Sequence, residues 1–283
     1  MLPMRALFLI PGDAVDQLQA LPAVAAVARQ LNFAIQVACA PAAAGVWKLL
    51  PAVEKLIPFN FGDATLADWA NLLGSVREPD FQLCINLAGG RQVDLMLSMS
   101  HIPSRIAAAG FSATEKVTPP SGGWPSQALA AYLRPIGISL DADAYRLTLP
   151  AKALAEAAAL LPAGDGPMLL LSPAGVPGDW PSERWQQLPD RIRTNLPALR
   201  SLQVPATDAA HVLQRAALVA ASDVVLASDP LSEELALLCG VPMVALGRDH
   251  DSLPQRSGVK GLTAAPGLDA LTPDDVLAAL GLA

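Results

Sequence analysis

Short runs of apolar residues recur along the whole sequence, and segments long enough to form a helix separate one run from the next. Four of these runs are RALFLI at 5–10, AIQVACA at 34–40, FQLCINLAGG at 81–90 and PMLLLSPAG at 167–175. A continuous apolar run of this kind is typical of a strand that is buried on both faces of a parallel sheet. Because such strands alternate with helices along the chain, we predict an α/β fold.

The alternation pauses near the middle of the chain. Residues 141–167 are rich in Ala, Pro, Asp and Gly around one helix, and apolar strands resume at Met168. A chain of 283 residues is long enough for two domains of ordinary size. We therefore predict two Rossmann-like domains, 1–150 and 151–283, whose parallel sheets face each other across a cleft.

Prolines and capping residues mark the expected ends of helices. A helix is predicted from the turn at Pro11-Gly12-Asp13 to Leu31, with a break at Pro22, because proline interrupts helical hydrogen bonding. Thr272, which a proline follows, predicts the start of a helix over 272–280.

The charge balance of the chain argues against a nucleic-acid partner. The formal net charge is -7 and the isoelectric point is near 4.9. Residues 1–150 carry 10 Lys and Arg against 11 Asp and Glu, whereas residues 151–283 carry 9 against 15. Binding to a phosphate backbone depends on clustered Lys and Arg, so we expect no nucleic acid among the partners.

The apolar segments are too short to cross a membrane. The start, MLPMRALFLIPGD, has about five apolar residues between Arg5 and Pro11, fewer than the roughly 7–15 of a secretion signal. No window offers the ~18 clean apolar residues of a membrane helix. Cys39, Cys84 and Cys239 lie far apart in apolar contexts, as buried thiols of a reducing compartment do. We expect a soluble, cytoplasmic protein with no transmembrane segment and at most peripheral membrane contact.

Several well-known catalytic motifs are absent from the sequence. It contains no G-x-G-x-x-G, no G-x-x-x-x-G-K-[ST], no G-x-S-x-G and no H-E-x-x-H. Dinucleotide dehydrogenases, P-loop kinases, serine hydrolases and zincins therefore lose their main sequence support. The three histidines, His101, His211 and His250, are dispersed, so we expect neither a metal site nor a cofactor.

Four polar or glycine-rich turns follow apolar strands. They are Pro11-Gly12-Asp13, Leu87–Arg91, Ser172–Gly175 and Ser228-Asp229. Open parallel sheets bind ligands in the crevice beyond the carboxyl ends of their strands. We therefore expect the ligand sites of the chain at these four turns.

The order of these segments resembles the lipopolysaccharide heptosyltransferases of glycosyltransferase family nine over nearly the whole chain. Gly12-Asp13 and the later Leu21-Pro22-Ala23 resemble the end of the family's first strand and the helix that follows it. FQLCINLAGG at 81–90 resembles the family's strand with Asn-Leu-Gln-Gly, and SRIAAAGF at 104–111 resembles its Arg-hydrophobic-Gly-Phe segment.

The resemblance continues in the second half. LLLSPAGVPGDWPSERWQQL at 169–188 resembles the family's segment with Trp-Pro-x-x-Arg-Trp, and Ala221–Gly247 resembles its strand, helix and strand with Gly-x-Pro. The resemblance implies two Rossmann-like domains in the GT-B arrangement. It also implies an inverting, metal-independent transfer of a heptose-like sugar from a nucleotide-diphosphate sugar to a hydroxyl of a saccharide or glycolipid acceptor.

The resemblance implies roles for individual residues. Asp13 would be the general base that takes a proton from the acceptor hydroxyl. The predicted donor-binding residues are Ser172, Gly175, Trp180, Arg184, Asp229 and Glu234. The predicted acceptor-binding residues are Gly12, Gly89, Gly90 and Arg91.

Five of these residues also have a purely structural alternative. Asp13 is a candidate helix N-cap, with Asp16 three residues later. Asp229 is another, with Pro230 at the first helical position. The predicted tryptophan is a candidate core residue, and the two predicted arginines are candidates for simple solvation.

The chain departs from the family in its donor-binding half. The family's donor-phosphate lysine falls on Gly178, its Ser-Gly on Pro230-Leu231 and its His on Glu234. A strand and helix between 196 and 208 are also shortened against the usual length of such a unit. Glu233 and Glu234 lie in the first turn of the predicted helix, where carboxylates satisfy the helix dipole and would oppose a diphosphate.

Three functions remain open at this point. The leading one is a glycosyltransferase. The second is a catalytically degenerate relative that kept the GT-B scaffold as a binding or assembly module, and the missing lysine, glycine and histidine favour it. The third is a sugar-nucleotide epimerase on the same architecture. Fold alone does not decide among them.

Overall fold

The computed structural model describes residues 4–282 and divides into two compact units. The first unit comprises Met1–Ser121 and Pro125–Tyr145, and the second comprises Gly122–Trp124 and Arg146–Ala283. Each unit contains one parallel sheet with helices between its strands. The predicted α/β fold with two parallel sheets is therefore confirmed.

The first unit is built around a sheet of six described strands. The strands are β1 (Arg5–Leu9), β2 (Ala34–Cys39), β3 (Val53–Pro58), β4 (Phe81–Asn86), β5 (Ser104–Ala107) and β6 (Glu115–Lys116). The helices are α1 (Ala14–Leu31), α2 (Leu66–Arg77), α3 (Arg91–Ser98), α4 (Pro125–Ala128) and α5 (Ala130–Leu133), with 3-10 helices at Pro41–Leu49 and Arg134–Ile136. All strand pairs are parallel, in the order β3-β2-β1-β4-β5-β6.

The strand order of the first sheet reverses between β1 and β4. From β1 the chain adds β2 and β3 on one side, and β4 and β5 on the other. The turns that follow β1 and β4 therefore lie side by side, and the backbone N–H of Leu87 donates to the carbonyl of Leu9 at 3.0 Å. Such a switch point is where open α/β sheets bind ligands.

The second unit is built around a sheet of five described strands. The strands are β7 (Met168–Ser172), β8 (Arg200–Gln203), β9 (Val224–Ala227), β10 (Met243–Leu246) and β11 (Val259–Leu262). The helices are α6 (Ala151–Ala158), α7 (Ser182–Asn195), α8 (Val212–Ala220), α9 (Pro230–Cys239) and α10 (Pro273–Leu280), with 3-10 helices at His250–Ser252 and Leu268–Ala270. The order is β11-β10-β9-β7-β8, all parallel, so the switch point lies between β7 and β9.

Helix α1 runs through Pro22 without a break, so the predicted interruption is wrong. An internal proline loses one helical hydrogen bond and costs about 3 kcal/mol in an exposed helix. Here the apolar face of α1 is buried within the first unit, and Leu18, Leu21 and Val24 are fully covered. Burial of that face offsets the cost of the proline.

Strands β6 and β11 were not predicted from the sequence. Both lie at sheet edges, and neither has the continuous apolar run of a central strand. The start of α10 is as predicted, because Thr272 caps the helix and forms a reciprocal capping box with Asp275. Within residues 4–282, no helix combines the length and the apolar character that crossing a membrane requires.

Candidate active site

The turn after β1 presents Asp13 as the N-cap of α1. One carboxylate oxygen, Oδ1, accepts from the backbone N–H of Val15 at 2.8 Å and of Asp16 at 3.3 Å. Oδ2 accepts no hydrogen bond from any residue in 4–282, and the side chain is exposed. Asp13 therefore caps the helix through Oδ1, as one alternative predicted. Its Oδ2 is left to accept a hydrogen bond or a proton from a ligand.

Gly12 is required by the geometry of the same turn. Its φ is +91°, and a Cβ at this position would lie 1.9 Å from Oδ2 of Asp16. That Asp16 oxygen accepts from the backbone N–H of Asp13 at 2.9 Å and closes the capping box. Burial raises the pKa of the Asp16 carboxyl, and the neighbouring Asp13 charge raises it further. A direct contact of Gly12 with an acceptor stays a prediction.

The buried side chain of Gln17 holds the backbone of the same turn. This residue was not predicted from the sequence. Its side chain is fully buried, and Nε2 donates to the carbonyls of Ile10 at 3.1 Å and Pro11 at 3.3 Å. Its Oε1 accepts from the indole N–H of Trp47 at 3.2 Å. The sequence signal that could have identified Gln17 is an amide on the apolar face of the helix, because a buried amide needs hydrogen-bond partners.

A pocket of about 400 Å³ lies at the carboxyl ends of β4 and β5. We call it the β4–β5 pocket. Its wall includes three of the four predicted acceptor-binding residues, Gly89, Gly90 and Arg91. The side chain of Asn86 shapes the turn, since its Oδ1 accepts from the backbone N–H of Ala88 at 3.0 Å. The structure therefore brings these residues together on the turn adjacent to Asp13.

At the second switch point, Asp229 is the N-cap of α9, as its structural alternative predicted. Its Oδ2 accepts from Ser232, from the backbone N–H at 3.1 Å and from the hydroxyl at 2.6 Å. The Ser172 hydroxyl donates to Ser232 Oγ at 2.9 Å. Arg215, from α8, donates through Nη1 to both serine hydroxyls at 2.8 Å and lies 3.8 Å from Asp229.

These four side chains form a buried polar cluster, which we call the Arg215 cluster: Ser172, Arg215, Asp229 and Ser232. Burial lowers the pKa of the Arg215 guanidinium, and the Asp229 charge opposes that shift. Sequence reasoning missed Arg215, because its partners Ser172 and Ser232 are 43 and 17 residues away along the chain. The hydrogen-bonding groups at the start of α9 are thus largely satisfied within the unit.

The two carboxylates that follow on α9 are buried, so the expectation that they oppose a diphosphate at the helix start is wrong. Glu234 is completely covered and Glu233 is 2% exposed. Glu234 lies 2.8 Å from the Arg248 guanidinium and accepts from the indole N–H of Trp124 at 3.1 Å. Glu233 lies 3.6 Å from the same guanidinium.

The pKa of Glu233 is raised to about 8. Burial is the main cause, Arg248 opposes it, and the charges of Glu234 and Asp229 add to it. Burial therefore favours the protonated form of Glu233, and the Arg248 guanidinium lies within ion-pairing distance of both carboxylates. These carboxylates are paired inside the unit, and they are not exposed at the first turn of α9.

The carboxylate of Asp179 holds the loop after β7 by hydrogen bonds within that loop. Asp179 accepts from the backbone N–H of Gly175 at 2.8 Å and of Trp180 at 2.7 Å. The N–H of Ala174 donates to the Ser228 hydroxyl at 2.9 Å, which holds the loop against the turn after β9. Gly175 is exposed on this loop, so its backbone is accessible at the second switch point.

Trp180 and Arg184 have structural roles next to this loop. The Trp180 ring is 2% exposed, packs edge to face on Trp185 with 5.3 Å between centroids, and donates to the Leu271 carbonyl at 2.9 Å. Arg184 donates through Nη1 to the carbonyls of Asp269 at 2.7 Å and Leu271 at 2.5 Å. Both side chains join the loop and α7 to the segment before α10.

Of the six predicted donor-binding residues, four have buried side chains: Ser172, Trp180, Asp229 and Glu234. A buried side chain offers no surface for a ligand, so this conformation does not support a direct donor contact for these four. Arg184 is half-buried and bonded to carbonyl groups, and Gly175 is exposed. The predicted donor site is therefore reduced to the backbone of the loop around Gly175.

The potential metal ligands of the described residues do not cluster, and the three thiols are buried or partly buried. Within residues 4–282, no three His, Cys, Asp or Glu side chains form a group that could hold a metal ion. Cys39 and Cys84 are buried and Cys239 is partly buried. Burial raises the pKa of the Cys39 thiol to about 11 and that of Cys239 to about 12, so both are protonated at neutral pH.

The two parallel sheets, each with a switch point, define the class of the fold as α/β with two Rossmann-like halves. No family model matches the sequence, and no curated protein matches it. Solved structures match over nearly the whole chain. A family 9 glycosyl transferase from Veillonella parvula is 14% identical with a TM-score of 0.76, and the match covers 98% of this chain and 96% of that one.

Two Escherichia coli structures are also similar over nearly the whole chain. ADP-heptose LPS heptosyltransferase II is 16% identical with a TM-score of 0.71, and the match covers 98% of both chains. Heptosyltransferase WaaC, solved with ADP-2-deoxy-2-fluoro heptose, is 14% identical with a TM-score of 0.69, covering 98% of this chain and 99% of that one. The chain therefore has the GT-B fold of the family-nine glycosyltransferases, and the resemblance seen in its sequence is confirmed in fold.

Proposed function

We propose that this protein is a glycosyltransferase that moves a sugar from a nucleotide-diphosphate sugar to a hydroxyl of a saccharide or glycolipid acceptor. The observation that carries the proposal is the position of Asp13. An exposed carboxylate, with one oxygen free of hydrogen bonds from residues 4–282, follows β1 at the switch point of the first sheet. A carboxylate placed in this way is suited to general-base work.

The β4–β5 pocket supports the acceptor side of the proposal. It lies on the turn next to Asp13, and its volume of about 400 Å³ falls within the range of small-molecule sites. Gly89 and Gly90 open its mouth without side chains, and Arg91 adds a positive charge. An acceptor bound here lies near the turn that carries Asp13, because β4 pairs directly with β1.

The proposed reaction is a single displacement with inversion. Asp13 takes the proton of the acceptor hydroxyl as the acceptor oxygen bonds to the anomeric carbon of the donor sugar. The bond from that carbon to the phosphate oxygen breaks on the opposite face, and the nucleoside diphosphate leaves with the electron pair. A heptose-like donor sugar is proposed by analogy with the E. coli neighbours, and no step calls on a metal ion.

Binding and turnover with a panel of donors test this proposal. ADP-, UDP- and GDP-sugars are screened by thermal shift, because a ligand at 100 times its Kd stabilises by about 2.7 kcal/mol. Release of nucleoside diphosphate is then measured with methyl glycosides as acceptors. The proposal expects one nucleotide to stabilise the protein and its sugar to be transferred. A stabilising nucleotide-sugar that is never turned over, with any acceptor, would contradict it.

A second candidate function has an observation in its favour. The Arg215 cluster satisfies the polar groups at the start of α9 internally, and Asp179 occupies the N–H groups of the loop after β7. Groups that are paired internally are not free to bond a donor, which favours a scaffold without donor binding. This candidate, a GT-B relative that serves as a binding or assembly module, expects neither a thermal shift nor turnover with any nucleotide-sugar of the panel.

A further inference from the structure

The turn between β5 and β6 carries an aromatic side chain into the wall of the β4–β5 pocket. Phe111 is 61% exposed, yet it lines the pocket together with Gly89, Gly90 and Arg91. A single exposed apolar residue needs no explanation on most surfaces. Phe111 differs from such residues in two respects. It lines a pocket, and hydrogen bonds to a buried carboxylate hold the backbone of its turn.

A buried carboxylate fixes the backbone of this turn. Asp94, on α3, is 8% exposed, and its Oδ2 accepts from the backbone N–H of Phe111 at 3.3 Å. Its Oδ1 accepts from Ser112, from the hydroxyl at 2.6 Å and from the backbone N–H at 3.3 Å. A buried carboxylate is costly unless it is hydrogen-bonded, so these three bonds hold the turn and the carboxylate together.

Gly110 completes this arrangement. Its φ is +109°, and a Cβ at this position would lie 2.3 Å from Oδ1 of Asp94. The turn residues before it, Ala108 and Ala109, are small and exposed. No bulky side chain of the turn itself therefore covers the ring of Phe111, and the ring is presented to solvent from a rigid backbone.

We propose that Phe111 is the stacking platform for the pyranose ring of the acceptor saccharide. This inference rests on the glycosyltransferase function proposed above and names the residue that selects the acceptor. The C–H groups on one face of a pyranose form an apolar surface with weak positive charge, and the face of an aromatic ring is its electrostatic complement. The hydroxyls at the edge of the sugar are left to Arg91 and to the open backbone of Gly89 and Gly90.

Saturation-transfer NMR on the intact protein tests the platform without a donor. The probes are the methyl glycosides of glucose, galactose, mannose and N-acetylglucosamine, together with glucuronate. We expect at least one probe to receive saturation through its ring C–H protons. Phe111→Ala should weaken its binding by about tenfold, as the loss of a stacking partner for a flat ring does. Phe111→Trp should retain the binding.

The matched control is Leu95→Ala. Leu95 is also an exposed apolar residue, 47% exposed, and it lies on α3 outside the described pocket wall. It should leave the binding of the probes unchanged, and both alanine variants should keep the wild-type melting temperature. Binding that Phe111→Ala leaves unchanged would overturn the proposal, as would the failure of every probe to bind the wild type.

The sugar-binding assay and the turnover assay can fail independently of each other. The NMR assay uses neither a donor nor Asp13, so a failed platform leaves transfer to be judged by turnover. Conversely, sugar binding that depends on Phe111 in a protein without turnover would keep the platform and reject the transferase.

Discussion

Asp13 caps α1 with one carboxylate oxygen and leaves the other accessible at the first switch point. This cap, and that of Asp229, could be predicted from the sequence because each partner lies within three residues along the chain. Gln17 and Arg215 could not, because their side chains bond to groups that only the folded chain brings near. The same holds for the turn of Phe111, whose backbone N–H bonds to Asp94, 17 residues earlier.

Gly12→Ala tests the turn at the residue scale. A side chain at φ +91° is strained, and its Cβ would displace the Asp16 carboxylate from the N–H of Asp13. We expect a loss of about 1–3 kcal/mol in the free energy of unfolding, measured by urea titration. Gly62→Ala is the control, because a Cβ there meets nothing within 4 Å. Equal stability of the two variants would show that the turn is not held as described.

At the scale of single elements, α9 shows how a helix that begins with Asp, Pro and two glutamates comes to be buried. Its N-cap follows from local sequence, and it was one of the two alternatives predicted for Asp229. The partners of its carboxylates were not, because Arg248 lies beyond β10 and Trp124 is 110 residues before Glu234. An acidic first turn predicts exposure, and only the tertiary structure reveals that Arg248 pairs with both carboxylates inside the unit.

Glu233→Gln tests the buried pair on α9 through its pH dependence. The folded pKa of about 8 lies above the usual 4.5, so the protonated form is the one that stabilises the fold. That stabilisation is complete below about pH 4.5 and is lost as the pH rises through 8. Glutamine mimics the protonated acid. The variant should therefore gain stability relative to wild type as the pH rises, by at most about 1.4 kcal/mol per pH unit.

Urea unfolding between pH 5 and 9 measures this difference, with Glu183→Gln as the control. Glu183 is exposed in the first turn of α7, so its replacement should give a difference that stays nearly flat with pH. A difference for Glu233→Gln that is equally flat would mean that Glu233 is ionised and solvated in the folded protein.

At the scale of the whole molecule, the four turns predicted from the sequence gather into two switch points, one in each sheet. The alternation of strands and helices predicts parallel sheets, and parallel strands carry the turns after them to the same edge. Which turns become neighbours depends on strand order, and order is set by packing that no local pattern records. The resemblance to family nine supplied that arrangement, and the solved structures confirm it in fold.

The central claim, that this GT-B chain transfers a sugar with Asp13 as the base, is tested most directly by Asp13→Asn. Asparagine caps a helix about as well as aspartate, so the melting temperature should stay that of wild type, whereas Asp13→Ala should lose about 0.5–2 kcal/mol of stability. The rate of nucleoside diphosphate release, with a donor that the thermal screen identifies, should fall by about 10²–10⁴ while donor binding is unchanged. A folded Asp13→Asn protein that turns over at the wild-type rate would contradict the claim.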